Sequence, residues 1–208
     1  MGCVLVIRHG QSEWNAAGRW QGWADIELTE LGEAQARHAG IRLSSLGFSF
    51  SGVVASDLRR AQRTAHLIAG ELGIDPSHVE TEPDLREFNV GDWSGLTRPE
   101  IEERWPGQLE EWWKGALTRT PGGENRQHFV DRVAAAVSRL TRWPGDVLVV
   151  SHGGVVGALQ LATLGDGDRP RITNLSGRWF EAGLGGELRA GDLVYLLDPD
   201  ESTVSPSR

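Results

Sequence analysis

Two histidines stand where chain geometry makes a side chain useful. The apolar run Cys3–Ile7 ends in Arg8-His9-Gly10, and the run Val147–Val150 ends in Ser151-His152-Gly153-Gly154. Both runs have the length and composition of a buried strand, so both histidines fall at carboxyl ends of strands, where open α/β sheets bind ligands. The glycine after each histidine lets the backbone approach a ligand, and the amides opening the next helix favour an anion. A single histidine is most often a hydrogen-bonded structural residue. Two at strand ends, one of them beside an arginine, point instead to an anion site containing a titratable imidazole.

The elements that must carry these residues follow from hydrophobic pattern. A third strand-like run, Val53–Ala55, is also followed closely by a helical pattern, and this alternation predicts a parallel sheet with covering helices. One helix is expected from Thr29 to about Leu46 and another from about Leu58 to Leu72, stopped by Gly73. Thr97-Arg98-Pro99-Glu100 has the form of a capping box. Phe129, Val133, Val137 and Leu140 make the core-facing stripe of a helix that ends before Pro144-Gly145. Two late strands are expected near Ile172–Trp179 and Leu193–Leu197, with pairing that sequence does not reveal. The Trp- and Gly-rich stretch Pro83–Gly123 reads as a lid or connection above the sheet. Residues 1–197 form one domain in this reading, and Asp198–Arg208 a frayed tail.

Composition removes several classes of function. The chain has 208 residues and a formal charge of −8, with no basic run able to track a phosphate backbone, so nucleic acid is not an expected partner. Twenty of its 21 basic residues are arginine. An anionic substrate must be held by a local arginine cluster working against the global field. No apolar run approaches the roughly 20 residues needed to cross a bilayer, and the first residues lack a basic n-region, so the expectation is a cytoplasmic protein without a membrane partner. Cys3, the lone cysteine, reads as a small core residue. No His-Glu-x-x-His or Cys/His spacing implies a metal, and no complete phosphate-loop or dinucleotide fingerprint implies a cofactor. The glycines of Gly153-Gly154-Val155-Val156-Gly157 read as small-residue packing.

The stretch Arg8-His9-Gly10-Gln11-Ser12-Glu13-Trp14-Asn15 resembles the opening motif of the histidine phosphatase superfamily, which includes the cofactor-dependent phosphoglycerate mutases. Further blocks follow in the family's order: Gly22-Trp23-Ala24-Asp25, Leu28-Thr29-Glu30-Leu31-Gly32, Ser56-Asp57-Leu58-Arg59-Arg60-Ala61, Leu85-Arg86-Glu87 with Gly91-Asp92-Trp93-Ser94-Gly95, and Ser151-His152-Gly153. The resemblance implies a single-domain three-layer α/β/α sandwich with a mostly parallel sheet. It places the nucleophile on His9, the general acid and base on Glu87, and the groups around the phosphoryl on Arg8, Arg60 and His152. Asn15, Gln21, Gly22 and Gly153 are the implied substrate-binding positions. Spacing alone does not choose between Arg59 and Arg60. The family places its arginine just before the alanine, which falls on Arg60 and leaves Arg59 at the surface or entrance. The cationic neighbours should lower the pKa of His9 and leave one ring nitrogen nucleophilic. The chain departs from the family at Gln21, where threonine is usual, and at Asn125, where serine is usual.

Within the resemblance the reading favoured is a phosphatase acting on a small phosphorylated metabolite, like the bacterial metabolite phosphatases, including the glucosyl-3-phosphoglycerate phosphatase type. Phosphoglycerate mutase is the alternative. Mutases follow the glutamate with Arg-x-Tyr-Gly and carry a long later insertion, whereas here Phe88-Asn89-Val90-Gly91 follows and only 65 residues separate Glu87 from His152. A non-catalytic phosphate-binding module is the second alternative, disfavoured because His9, Glu87 and His152 are all present. Trp20 and Trp23, which flank Gly22, are the tryptophans expected nearest the pocket, and a homodimer is the assembly to consider.

Overall fold

The computed structural model describes residues 2–165 and 170–198. Its strands are β1 (Val4–Arg8), β2 (Gly52–Ala55), β3 (Glu80–Thr81), β4 (Val147–Ser151), β5 (Ser176–Ala182) and β6 (Leu188–Tyr195), and they form one sheet in the order β3-β2-β4-β1-β5-β6. The first four run parallel, while β5 pairs antiparallel with β1 and β6 antiparallel with β5. The three apolar runs of the sequence are β1, β2 and β4. They are buried on both faces, which is why they read as unbroken apolar runs. In β1, Val4 and Val6 belong to the core on one side of the sheet, and Leu5 and Ile7 to the core on the other.

Helices cover both faces. α1 (Glu13–Ala16) is a single turn after β1; α2 (Glu30–Ser45) and α3 (Arg59–Glu71) bury Ala39, Leu43, Ala61 and Ile68 against one side. α4 (Arg98–Arg104), α5 (Gln108–Trp113), α6 (Arg126–Leu140) and α7 (Gly153–Leu164) contribute Ile101, Leu109, Val133 and Val155 to the other. The helix starts agree with the sequence signals. Thr29 caps α2 by accepting from the Gly32 amide, and Thr97 with Glu100 closes a capping box on α4. The stretch 83–123 forms two 3-10 turns followed by α4 and α5, a layer over the sheet as expected.

Three expectations need correction. Residues 172–175 are not strand, and β5 begins only at Ser176. Their backbone serves the site instead: Ile172 offers its carbonyl to Arg8, and the Leu175 amide donates to the Arg8 carbonyl from a left-handed turn at φ 51°. The last strand lies earlier than expected, at Leu188–Tyr195, as the antiparallel partner of β5, so the parallel sheet has an antiparallel margin. Cys3 is half-buried ahead of β1 rather than in the core. Of the expected tail, Asp198 lies 3.6 Å from Arg42, and 199–208 lie outside the described residues.

Where β1 exits toward α2, two glycines allow the backbones to touch. A Cβ on Gly32 would strike the Gln11 carbonyl, and one on Gly10 would lie 2.5 Å from the Gly32 carbonyl. Backbone cannot yield there as a side-chain end can. Gly70, within α3, has nothing within 4 Å of its ideal Cβ. Gly32→Ala should therefore cost about 1–3 kcal/mol by overpacking, whereas Gly70→Ala should stabilise by about 0.5–1 kcal/mol. Urea unfolding of the two variants checks the pair, and equal effects would contradict the backbone contact.

Candidate active site

Strand register brings the two histidines together. Arg8 of β1 is paired with Ser151 of β4, so His9 and His152 leave the sheet side by side, tied by the His9 amide donating to the Ser151 carbonyl at 2.9 Å. Their ring centroids are 5.3 Å apart, and both rings are buried. His9 Nδ1 lies 2.6 Å from the Gly10 carbonyl. A carbonyl only accepts, so Nδ1 carries the proton and Nε2 of the neutral ring keeps its lone pair. His152 Nε2 meets the Ser56 hydroxyl at 2.9 Å, and its buried Nδ1 has no hydrogen-bond partner. Burial first, and then the charges of Arg60 and Arg8, push His9 well below the ordinary imidazole value, with the Gly10 contact opposing. His152 is lowered in the same way, by burial first and then by Arg60, His9 and Arg8.

The two guanidinium groups are oriented by backbone carbonyls. Arg60, at the start of α3, donates to Gly22 O at 2.8 Å and Ala24 O at 2.7 Å, and Arg8 donates to Ile172 O at 3.2 Å. Arg60 Nε is buried without a partner. Burial lowers both pKa values to about 10, which still leaves both groups charged at neutral pH. Arg59 points elsewhere: it is exposed and paired with Asp25 and Glu27, as the family pattern implied.

Glu87 faces these cations from the loop after β3. Its carboxylate accepts from the Phe88 amide at 2.8 Å and from the Gly154 amide at 3.1 Å, the latter in the first turn of α7. A Cβ on Gly154 would overlap the Glu87 carboxylate, so a side chain there would displace it. The loop itself is clamped by Arg132 of α6, which uses all five of its N–H groups: two on the Asp84 and Arg86 carbonyls, one on the Glu87 carbonyl, and two on the Glu124 carboxylate. Trp23 Nε1 donates to the same Glu87 carbonyl at 2.8 Å.

One cavity of about 540 Å³ gathers eight of the nine expected residues: Arg8, His9, Asn15, Gln21, Gly22, Arg60, Glu87 and Gly153. His152 stands behind His9 and is fully buried. Gln21 lines the cavity while its Oε1 accepts from the Ser12 hydroxyl at 2.8 Å, and Asn125 is away from the cavity as the N-cap of α6. Trp20 lines the cavity; Trp23 instead sits under Arg86. Sequence reasoning did not single out Arg132, Asn174 or the outer wall of Arg19, Arg98, Trp112, Trp113 and Gln160. Arg132 and Asn174 act through backbone carbonyls, Asn174 by donating to His9 O at 2.8 Å, and such contacts leave no spacing signal. Gln160 had one, as a lone amide in the apolar run of α7.

A sheet whose carboxyl edge holds a neutral imidazole with a free ring nitrogen, two carbonyl-oriented arginines and an anchored carboxylate has the groups that an anion-handling enzyme site needs. The model of the histidine phosphatase superfamily (branch 1) matches residues 4–180. A 2,3-bisphosphoglycerate-dependent phosphoglycerate mutase of Methylobacterium radiotolerans is 38% identical over 97% of this chain and 92% of its own length. A glucosyl-3-phosphoglycerate phosphatase of Mycolicibacterium vanbaalenii is 37% identical over 78% of this chain and 74% of its own. The solved structure of a mycobacterial glucosyl-3-phosphoglycerate phosphatase complexed with VO3 superposes with a TM-score of 0.80 at 31% identity, covering 92% of this chain and 97% of that one. The chain belongs to the histidine phosphatase superfamily, and it is an enzyme of the histidine phosphatase type. Among the described residues no helix is long and apolar enough to cross a membrane.

The electrostatics give a sign for pH dependence. Folding holds His9 and His152 neutral below their ordinary value, so below about pH 6.5 the unfolded chain binds more protons than the folded one. The contribution of these residues to stability is therefore present above about pH 6.5 and lost as pH falls below it. The ring C–H resonances of both histidines should not titrate between pH 5 and 8 in the free protein, as NMR would show, and a midpoint near 6.5 for either would contradict the buried cationic setting.

Proposed function

We propose that the protein is a phosphomonoesterase that hydrolyses a small phosphorylated metabolite through a phosphohistidine on His9. The carrying observation is the His9 Nδ1 contact to the Gly10 carbonyl, which leaves Nε2 as the nucleophile. Nε2 attacks phosphorus in line, the P–O bond to the alcohol breaks, and protonated Glu87 gives its proton to the departing alkoxide. Water then attacks the phosphohistidine while the Glu87 carboxylate takes a proton from it. The P–N bond breaks and inorganic phosphate leaves. Arg8 and Arg60 supply donors and positive charge for the equatorial oxygens, and neutral His152 an uncharged ring nitrogen behind them, with Asn15, Gln21 and the backbone at Gly22 and Gly153 as further contacts.

The outer wall bears on the leaving group. Arg98 lies over the Trp113 ring at 4.2 Å and has no carboxylate partner among the described residues, and with Arg19 and Arg171 it adds cationic character beyond the phosphoryl end. This favours a polar, oxygen-rich alcohol over an apolar one.

The second reading, a phosphoglycerate mutase, is favoured by the 38% identity to a protein of that name over nearly both full lengths. That coverage also means the interval from Glu87 to His152 does not separate the two readings. What supports hydrolysis is the wall after the glutamate, where buried Phe88 and Val90 line the cavity in place of the polar contacts a retained bisphosphate needs.

His9→Ala should abolish turnover, and the wild type should trap a phosphoenzyme that is labile in acid and stable in base. Phosphate recovered on serine or aspartate would remove the mechanism. Glu87→Gln should slow phosphorylation by alkyl phosphates by about 10²–10⁴-fold and by p-nitrophenyl phosphate much less, because nitrophenolate departs without a proton. Equal slowing in burst kinetics would refute the acid role. With 3-phosphoglycerate and catalytic 2,3-bisphosphoglycerate, the product should be inorganic phosphate. Isomerisation outpacing phosphate release would install the mutase reading while leaving the His9 chemistry in place.

A further inference from the structure

The N-terminal turn of α7 serves the phosphoryl end, through Gly153 beside Arg8 and Gly154 against Glu87. The same helix face continues outward. Gly153, Gly157 and Gln160 recur at four- and three-residue spacing and all line the cavity, with Gln160 roughly 10 Å further along the axis than Gly153. Gly157 is a helix-interior glycine, which costs stability relative to alanine. No neighbour demands it, since an ideal Cβ there would meet nothing within 4 Å. It also borders a smaller recess of about 190 Å³ walled by Phe88, Trp112, Phe129 and Leu161. The sequence reading of this glycine as packing is therefore incorrect. What it preserves is open space beside the site.

Gln160, on the wall of the main cavity, carries a feature the free protein gains nothing from. Its side chain is buried, 1% exposed, and its Nε2 has no hydrogen-bond partner. An unmade bond at a buried amide is costly, and such groups in a cavity wall find their partner in a ligand. We propose that Gly157 and Gln160 form the leaving-group subsite, taking a small polyhydroxy or carboxylated alcohol moiety that presents a hydroxyl or carboxylate oxygen to the Gln160 amide. This rests on the phosphatase reading of His9, Arg8 and Arg60, which fix where the phosphoryl end lies. Gln160 is a specificity residue, acting on the part of the substrate that departs.

Calorimetric binding to the full chain in a His9→Ala background, where nothing turns over, tests this with four probes: inorganic phosphate, phenyl phosphate, glycerol 3-phosphate and 3-phosphoglycerate. Gln160→Met, which keeps the volume, should weaken glycerol 3-phosphate and 3-phosphoglycerate about tenfold and the other two much less. A loss confined to 3-phosphoglycerate identifies the acceptor as carboxylate, and a shared loss identifies a hydroxyl. Gly157→Leu should weaken all three organic phosphates far more than inorganic phosphate. Equal losses for all four probes, or no loss for any, would overturn the subsite. Failure of inorganic phosphate to bind the parent His9→Ala protein would remove the phosphoryl site itself and the inference with it.

Discussion

Two guanidinium groups, Arg8 and Arg60, are buried at the carboxyl edge of the sheet with backbone carbonyls rather than carboxylates as their direct hydrogen-bond partners. Burying charge is expensive, and it lowers both pKa values to about 10 without neutralising either group at neutral pH. Much of the local architecture holds that positive charge in place. Gly22 and Ala24 turn their carbonyls toward Arg60, Ile172 turns its carbonyl toward Arg8, and the 172–175 backbone leaves strand geometry to do so. Burial, and then the same field, keep His9 and His152 neutral, so an anion entering the cavity meets fixed cations and an unprotonated ring nitrogen together. A chain of net charge −8 achieves this because the effect is local.

The scaffold divides the remaining work between direct contact and support. Thr64 accepts from the Gly10 amide and donates to the Arg60 carbonyl, joining the histidine turn to the helix that carries Arg60. Asp57 receives both arms of Arg86, which ties the loop after β2 to the loop bearing Glu87. Arg132 and Glu124 fix that loop from the opposite face through three backbone carbonyls. A backbone clamped this way holds the Glu87 carboxylate in one place, and small displacements at a reacting centre are costly in rate. Residues of the family blocks that do not reach the cavity, Asp57 and Arg86 among them, act by holding those that do.

The cavity combines a charged inner end with an aromatic and amide outer wall. Trp112 is held by Arg126 at 3.9 Å from its ring, and Trp113 by Arg98 at 4.2 Å. Stacked arginine and tryptophan form a stiff wall, since each limits the rotamers of the other. The inner end is what makes the chain an enzyme of this superfamily. The outer wall and the open floor of α7 make up the rest of the cavity lining.

The sequence by itself determined the strands β1, β2 and β4, the main helices with their caps, and the motif positions of His9, Arg8, Arg60, Glu87 and His152. These are legible because a buried parallel strand must be apolar throughout, α2 and α4 begin at capping threonines, and a ligand-binding strand end favours glycine beside the functional side chain. Only the tertiary structure decided the antiparallel β5–β6 margin, the use of 172–175 to offer the Ile172 carbonyl to Arg8 rather than as a strand, the Arg132 clamp, and the placing of Gly157 and Gln160 on the lining of one cavity. Each of these depends on which backbone carbonyls or empty volumes come within reach when distant segments pack. Carbonyls are the same in every residue, and empty volume has no residue at all, so neither leaves a pattern to read in the chain.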